Sequence, residues 1–345
     1  MSTMRAILKE KPGYGFSFKR VDVPKVGHNE VLVKVKYVSI CGSDLHIYRW
    51  DESMRNRIKP PRIIGHEFAG EVVEIGEGVE NIEVGDYVSA ETHIYCGKCY
   101  QCRIGKPHIC RNLKILGVDV DGAYADYVVV PANIIWKNDP IIPPEFASVQ
   151  EPFGNAVHAS FTVDLSMKKV LITGLGPIGL MSAMIAQAIG SAIVIGTEVN
   201  PYRIRLAESA GIEHVVNPLE EDLTKKVMKL TDGTGVDVVL EMSGNPSALK
   251  QGLELLTNGG DIVLLGIFDG EVNLKLNELV IFKGVKIHGV TGRLIFETWE
   301  LATRLLKSGK VDLSKVITHI LPFEEWEKGM ELMDRGECGK VVLKL

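Results

Sequence analysis

The sequence predicts a two-domain α/β protein, with a β-rich lobe first and a doubly wound parallel-sheet domain after it. Three observations carry this. The chain has 345 residues, more than a single small core usually organises. Its first half holds short alternating strands such as EVLVKVKYVSI (30–40), the period of a half-buried sheet. Residues 170–197, VLITGLGPIGLMSAMIAQAIGSAIVIGT, carry no charge and are broken by Gly174, Gly176, Pro177, Gly179 and Gly190. That reads as strand, tight turn, buried helix and second buried strand, because parallel strands covered on both faces are continuously apolar. The length would cross a bilayer, but the glycine breaks argue against a span. The predicted boundaries are 1–153 and 294–345 for the first domain and 154–293 for the second.

Bulk properties narrow the function. Hydrophobic residues make up 46%, charged residues 24%, and the net charge is −5, an ordinary globular balance. No basic excess calls for nucleic acid or an anionic membrane as partner. The start, MSTMRAILKEKPGYG, has no apolar signal region, which predicts a cytoplasmic chain with reduced thiols.

In the first domain, Cys96, Cys99, Cys102 and Cys110 follow a C-x2-C-x2-C-x7-C spacing within YCGKCYQCRIGKPHIC. With disulfides disfavoured, four thiolates on a tight loop suit a closed tetrahedral Zn2+ site. Gly97 and Gly105 supply the turns, and Lys98, Arg103 and Lys106 offset the charge. A closed site predicts a structural zinc that staples a lobe, here 93–112, lacking its own core. An iron–sulfur cluster uses the same ligands but fits the flanks less well. Upstream, SICGSDLHIY and PPRIIGHEFAGEVVEIG bring Cys41, His66 and Glu67, and QEPFGNAVHA brings Glu151. A mixed soft, intermediate and hard donor set is typical of catalytic zinc with one open position. Taken singly each residue is weak, since a lone Cys is usually a small buried hydrophobe.

In the second domain, GLGPIG follows the VLIT strand and opens a helix. Gly174, Gly176, Ile178 and Gly179 are the expected cofactor contacts: the glycines turn the chain, admit a pyrophosphate and pack helix on strand. Helix N–H groups face the phosphates. The next strand ends at Glu198, nineteen residues past Gly179, where a carboxylate accepts the adenosine ribose hydroxyls and repels a 2′-phosphate. This predicts NAD over NADP. Arg203, in the first turn after Asn200 and Pro201, is expected along the adenosine or paired with Glu198. Strands are expected at DVVLEMSG (237–244), DIVLLGI (261–267) and VKIHGVTG (285–292). Ligands bind at strand C-termini in such sheets, so Leu265, Gly266, Ile267, Val290 and Thr291 are expected against the nicotinamide half. TWELATRLLKSGK is an expected amphipathic helix and KVVLKL a final strand.

The layout of G-H-E, cysteine lobe and dinucleotide fingerprint resembles the zinc-dependent medium-chain dehydrogenases, the alcohol and polyol dehydrogenase superfamily, over essentially the whole chain. The resemblance implies a GroES-like catalytic domain plus a Rossmann domain, an active site in the cleft between them, and two Zn2+ per subunit with NAD. It implies that Cys41 and His66 bind the catalytic zinc, with Glu67 and Glu151 in exchangeable neighbouring roles. It also implies a proton relay from the substrate hydroxyl through Ser43 and the cofactor ribose to His46. EPFGNAVHA, GRLIFETWE, the ETH before the cysteine loop and the C-terminal THILPFEEWEKGMELMDRGECGKVVLKL resemble the branch that oxidises the β-hydroxyl of L-threonine. A polyol or 2,3-butanediol is the alternative substrate, and a non-catalytic NAD-binding relative the third reading. A zwitterionic amino-acid substrate needs a partner at each end: Glu151 for the ammonium, His93 and Arg293 for the carboxylate. The family further implies a homotetramer, with VKIHGV as a pairing edge. Cys338, His28, His108, His288 and His319 receive no functional role.

Overall fold

The computed structural model describes residues 2–345 and divides into two compact units. Among the described residues, the first comprises 2–152, Leu294–Thr303 and Ile317–Leu345; the second comprises Phe153–Arg293 and Arg304–Val316. The sequence predicts all of 294–345 in the first domain, whereas Arg304–Val316 groups with the second unit. There Lys315 Nζ donates to Ala210 O at 3.2 Å, and Val311, Leu313 and Val316 are buried.

In the first unit a seven-stranded sheet runs in the order Ile135–Lys137, Tyr87–Ala90, Phe68–Ile75, Glu30–Ser39, Lys340–Lys344, Ile317–Pro322, and Tyr127–Pro131 also pairs with Glu30–Ser39. The inward residues of Glu30–Ser39, among them Val31, Val33, Val35 and Val38, are almost fully buried. The final strand pairs antiparallel to this central one, with Val342 opposite Ser39. The chain's last strand therefore runs inside the sheet beside Ser39 and Ile40, whose N–H donates to Val341 O at 2.9 Å. A three-stranded sheet (Ser17–Asp22, Thr3–Lys9, Arg62–Ile63) completes the unit together with a two-stranded ribbon, His93–Ile94 against Lys114–Ile115.

In the second unit six parallel strands, numbered along the unit, lie in the order 3-2-1-4-5-6, the doubly wound arrangement expected of a dinucleotide fold. The first, Lys169–Thr173, has Val170, Leu171 and Ile172 at zero exposure. The helix Pro177–Ala188 buries every residue from Gly179 to Ala186. Burial on all sides explains why 170–197 needs no charge, and no helix among the described residues is long and apolar enough to cross a membrane. Three expected strands end early. The fourth is Val236–Glu241 rather than 237–244. The fifth is Leu256–Leu264, because Leu265 N and Gly266 N both turn to Glu241 O at 3.0 Å. The sixth is Lys286–Gly289. Leu265, Gly266, Ile267, Val290 and Thr291 thus lie just beyond strand C-termini, in loops, with Ile267 exposed.

Candidate active site

The central strand of the first unit ends at Ser39, and the helix Gly42–Arg49 begins with Cys41 as its N-cap. Asp44, three residues on, accepts the Cys41 N–H at 2.9 Å, which fixes the cysteine's approach to the helix. Asp44 has no solvent exposure, accepts the Tyr124 hydroxyl at 2.7 Å, and sits 3.8 Å from His66 Nδ1. A carboxylate on that side of the ring orients the imidazole and leaves Nε2 for another partner. His66 and Glu67 follow Gly65, whose φ is +86°, and a Cβ there would stand 1.9 Å from the Tyr124 ring. Only glycine lets the G-H-E turn pass that ring.

The donor atoms of Cys41, His66 and Glu67 lie within 4.8 Å of one another. Glu67 is braced on one oxygen: Oε2 accepts from the Ser39 hydroxyl and, at 2.5 Å, from Lys340 Nζ. Its Oε1 and His66 Nδ1 are buried without a hydrogen-bond partner. Burial pulls the His66 imidazole down, but Cys41, Asp44 and Glu151 outweigh it and hold it well above its ordinary value. Burial likewise opposes the Lys340 charge, yet Glu67, Cys41 and Glu151 raise it. Burial pushes the Asp44 carboxyl up, against His66 and its two hydrogen bonds. The field here favours a cation, and three donors of graded softness with orphaned buried atoms fit a zinc ion that keeps an open position. Glu151, the second residue of helix Gln150–Phe161 and buried, acts on His66 through its charge.

Lys340 escaped the sequence reading. Its partner lies 273 residues away, and KVVLK is buried from Lys340 to Leu343 with no alternation to betray an inward lysine.

The cysteine lobe passes its own test. Cys99 Sγ stands 3.5 Å from Cys102 Sγ and 3.7 Å from Cys110 Sγ; tetrahedral zinc at ~2.3 Å from each sulfur sets them ~3.8 Å apart. Gly97 and Gly105 both take positive φ. The Asn112 amide and the Lys98 and Cys99 N–H groups lower the Cys96 thiol to about 6. Backbone N–H groups of Cys102 and Arg111 lower Cys99, while burial and its neighbouring thiols raise Cys102 to about 12. Crowded thiols hold a proton that a metal would displace. Tyr100, Ile104 and Ile109 are exposed, so these apolar side chains do not hold the loop by packing.

In the second unit a cavity of about 510 Å3 is lined by Gly174, Gly176, Glu198, Arg203, Met242 and Ser243, among others. The helix Pro177–Ala188 has Gly176 as N-cap with no side-chain cap, leaving its N–H groups for an anion. A Cβ on Gly179 would stand 1.9 Å from Gly174 O. Ile178 is half-buried in the first turn. Glu198 accepts Leu175 N at 3.1 Å, Val199 N at 2.9 Å and Asn200 N at 3.0 Å, and does not pair with Arg203. Arg203 Nε is buried without a partner, and its Nη1 lies 3.8 Å from where a Gly176 Cβ would stand. This orphaned donor at the glycine turn fits a bound nucleotide.

Of the remaining predicted residues, Ser43 Oγ is 3.5 Å from His66 Nε2. His46, half-exposed, has Nδ1 2.5 Å from Asp51 Oδ2. His93 opens the two-stranded ribbon and is nearly buried. Arg293, 1% exposed, lies across Gly154 in the second unit and donates to Asn155 Oδ1 at 3.0 Å.

Residues 27–143 match the alcohol dehydrogenase GroES-like domain, and residues 177–308 match the zinc-binding dehydrogenase domain. The chain is 56% identical over 343 residues to an L-threonine 3-dehydrogenase from Pyrococcus horikoshii, covering 99% of each. It belongs to the zinc-dependent medium-chain dehydrogenases. This member is therefore an oxidoreductase with a GroES-like and a Rossmann domain. Its structure is similar, with a TM-score of 0.91 and 32% identity over 100% of both chains, to a short chain alcohol dehydrogenase from E. coli CFT073 complexed with cofactor NADH. It is also similar, at 0.89 and 28% over 99% of both, to 2R,3R-butanediol dehydrogenase from Bacillus subtilis.

Proposed function

We propose that this dehydrogenase oxidises L-threonine to 2-amino-3-oxobutanoate with NAD+ as hydride acceptor. The observation that carries the reading is the Cys41, His66 and Glu67 group, braced by Asp44 and Lys340, in a chain so similar to an L-threonine 3-dehydrogenase. Zinc held there supplies Lewis acidity to the substrate hydroxyl, and NAD+ supplies the hydride acceptor. The chain's residues do the rest. Cys41, His66 and Glu67, with Glu151 as the exchangeable carboxylate, hold the metal. Ser43 receives the hydroxyl proton, and His46, tied to Asp51, delivers it to solvent. Glu151 also receives the substrate ammonium, and His93 and Arg293 receive its carboxylate. On the cofactor side, Gly174, Gly176, Ile178 and Gly179 admit the pyrophosphate and Glu198 takes the ribose hydroxyls. Arg203 lies along the adenosine, and Leu265, Gly266, Ile267, Val290 and Thr291 meet the nicotinamide half. Cys96, Cys99, Cys102 and Cys110 hold a second, structural zinc.

We further propose a cytoplasmic homotetramer. Its support is the edge strand Lys286–Gly289, paired on one side only among the described residues, with exposed Ile281, Phe282 and Ile287, an apolar edge of the kind that association covers. Light scattering of the purified chain tests it.

The deciding experiment is initial-rate reduction of NAD+ and NADP+ with L-threonine, L-serine, sorbitol and 2,3-butanediol, with and without chelator. Chelator-sensitive turnover of L-threonine with NAD+ is expected. Preference for the diol or polyol would keep the zinc chemistry and discard the roles of His93 and Arg293.

A further inference from the structure

Two residues before His93 stands a carboxylate with no solvent exposure, Glu91. It follows the strand Tyr87–Ala90, and its own N–H donates to Ile134 O at 2.8 Å. Its two oxygens face different ways. Oε2 accepts the Trp299 indole N–H at 2.8 Å. Oε1 accepts the His93 backbone N–H at 3.0 Å and lies 3.8 Å from His93 Nδ1, an ion-pair separation.

Both ends of this arrangement are anchored. His93 pairs with Ile115 in the ribbon, and Leu116 N donates to Thr92 O at 3.1 Å, so the backbone around the histidine cannot drift. Trp299 is 1% exposed in the first turn of helix Glu297–Lys307. Its ring lies 6.1 Å from that of Trp136, which stacks on Phe296 at 5.7 Å. Burying a carboxylate costs free energy unless donors meet it. An amide would be a poor substitute, because it has a single acceptor oxygen. Turned to keep the indole bond, it would present NH2 to the His93 N–H. The two donors on two oxygens therefore call for a carboxylate. A carboxylate at ion-pair distance from one imidazole nitrogen favours the imidazolium, in which both nitrogens carry protons, and turns the other N–H outward.

We propose that Glu91 is a positioning residue for substrate recognition: anchored by Trp299, it holds the His93 imidazolium with Nδ1–H toward itself, so that Nε2–H is the donor offered to the substrate carboxylate. The proposal rests on the assignment of His93 to that carboxylate. Trp299 is coupled to it, since its indole fixes where the Glu91 carboxylate can point.

The test uses the full-length, zinc-loaded enzyme with L-threonine and its amide, which keeps the hydroxyl and ammonium but lacks the carboxylate charge. Glu91→Gln is expected to raise KM for L-threonine about tenfold, with kcat, KM for the amide and KM for NAD+ little changed. His93→Asn should raise KM for L-threonine at least as much, and Trp299→Phe should give a smaller rise in the same direction, which keeps the test alive if Glu91→Gln fails to fold. If His93→Asn raises KM and neither Glu91→Gln nor Trp299→Phe does, the proposal is overturned and the reading of His93 stands. If His93→Asn leaves KM unchanged, or the wild type does not distinguish threonine from its amide, the reading of His93 falls and the proposal with it. Equal losses on threonine and amide in Glu91→Gln would show a merely structural role and overturn it.

Discussion

Cys96, Cys99, Cys102 and Cys110 occupy fifteen residues of one loop, and their partners are neighbours: Lys98, Arg111 and Asn112. Cys41, His66 and Glu67 come from two segments and lean on Asp44, Tyr124 and Lys340, drawn from the length of the first unit. Both groups fit zinc, but the first closes on itself with four identical donors. The second presents three unlike donors whose positions are set by buried charges. Local chain geometry suffices to build a staple. A site that must leave a position open needs its ligands held from behind, because nothing in the coordination itself completes the cage.

The comparison predicts different consequences of removing a donor. Cys41→Ala should lower kcat/KM for L-threonine about a thousandfold or more, with melting temperature nearly kept and metal analysis showing one zinc lost. Cys102→Ala should instead act on stability, costing about 4 kcal/mol, and expose the lobe to limited proteolysis. Activity should decline only as folded enzyme is lost. If Cys102→Ala abolishes turnover in fully folded protein, the division between chemistry and staple is broken.

Two further variants probe the bracing. Lys340→Met leaves the Glu67 carboxylate buried without its cation and should cost about 3 kcal/mol in denaturant unfolding. Lys340→Met with Glu67→Gln should recover part of that loss. Asp44→Asn should weaken zinc at the Cys41 group about tenfold to a hundredfold, read by competition with a chelator, while the cysteine lobe keeps its metal. Equal weakening at both sites would show that the two groups are not independently built.

Legibility followed the range of the interactions. The cysteine lobe was readable because four thiols recur at short spacing. The glycine turn was readable because its residue types serve a backbone path, which the structure shows at Gly174 and Gly179. Cys41, His66 and Glu67 were readable only together and through a family pattern. Lys340, Glu91 and Asp51 were not singled out. Each is an ordinary charge in the sequence, and only its partner makes it informative: Glu67 for Lys340, Trp299 for Glu91 and His46 for Asp51. The early ends of the last three strands are not legible either, because the turn at Leu265 depends on a hydrogen bond to Glu241 O, and an apolar run does not say where it stops pairing.

The sequence by itself determined the α/β class, the parallel sheet under an uncharged run, the four-cysteine loop and the donor types of the second group. These follow from period, spacing and side-chain chemistry, all properties of short segments. Tertiary structure alone decided that Arg304–Val316 belongs with the nucleotide unit, that Glu67 is neutralised by a lysine from the last strand, and that Glu91 ties Trp299 to His93. Those pairings bring together residues hundreds of positions apart. Burial makes an unpaired charge costly, but which partner relieves that cost is settled only when the strands are in register.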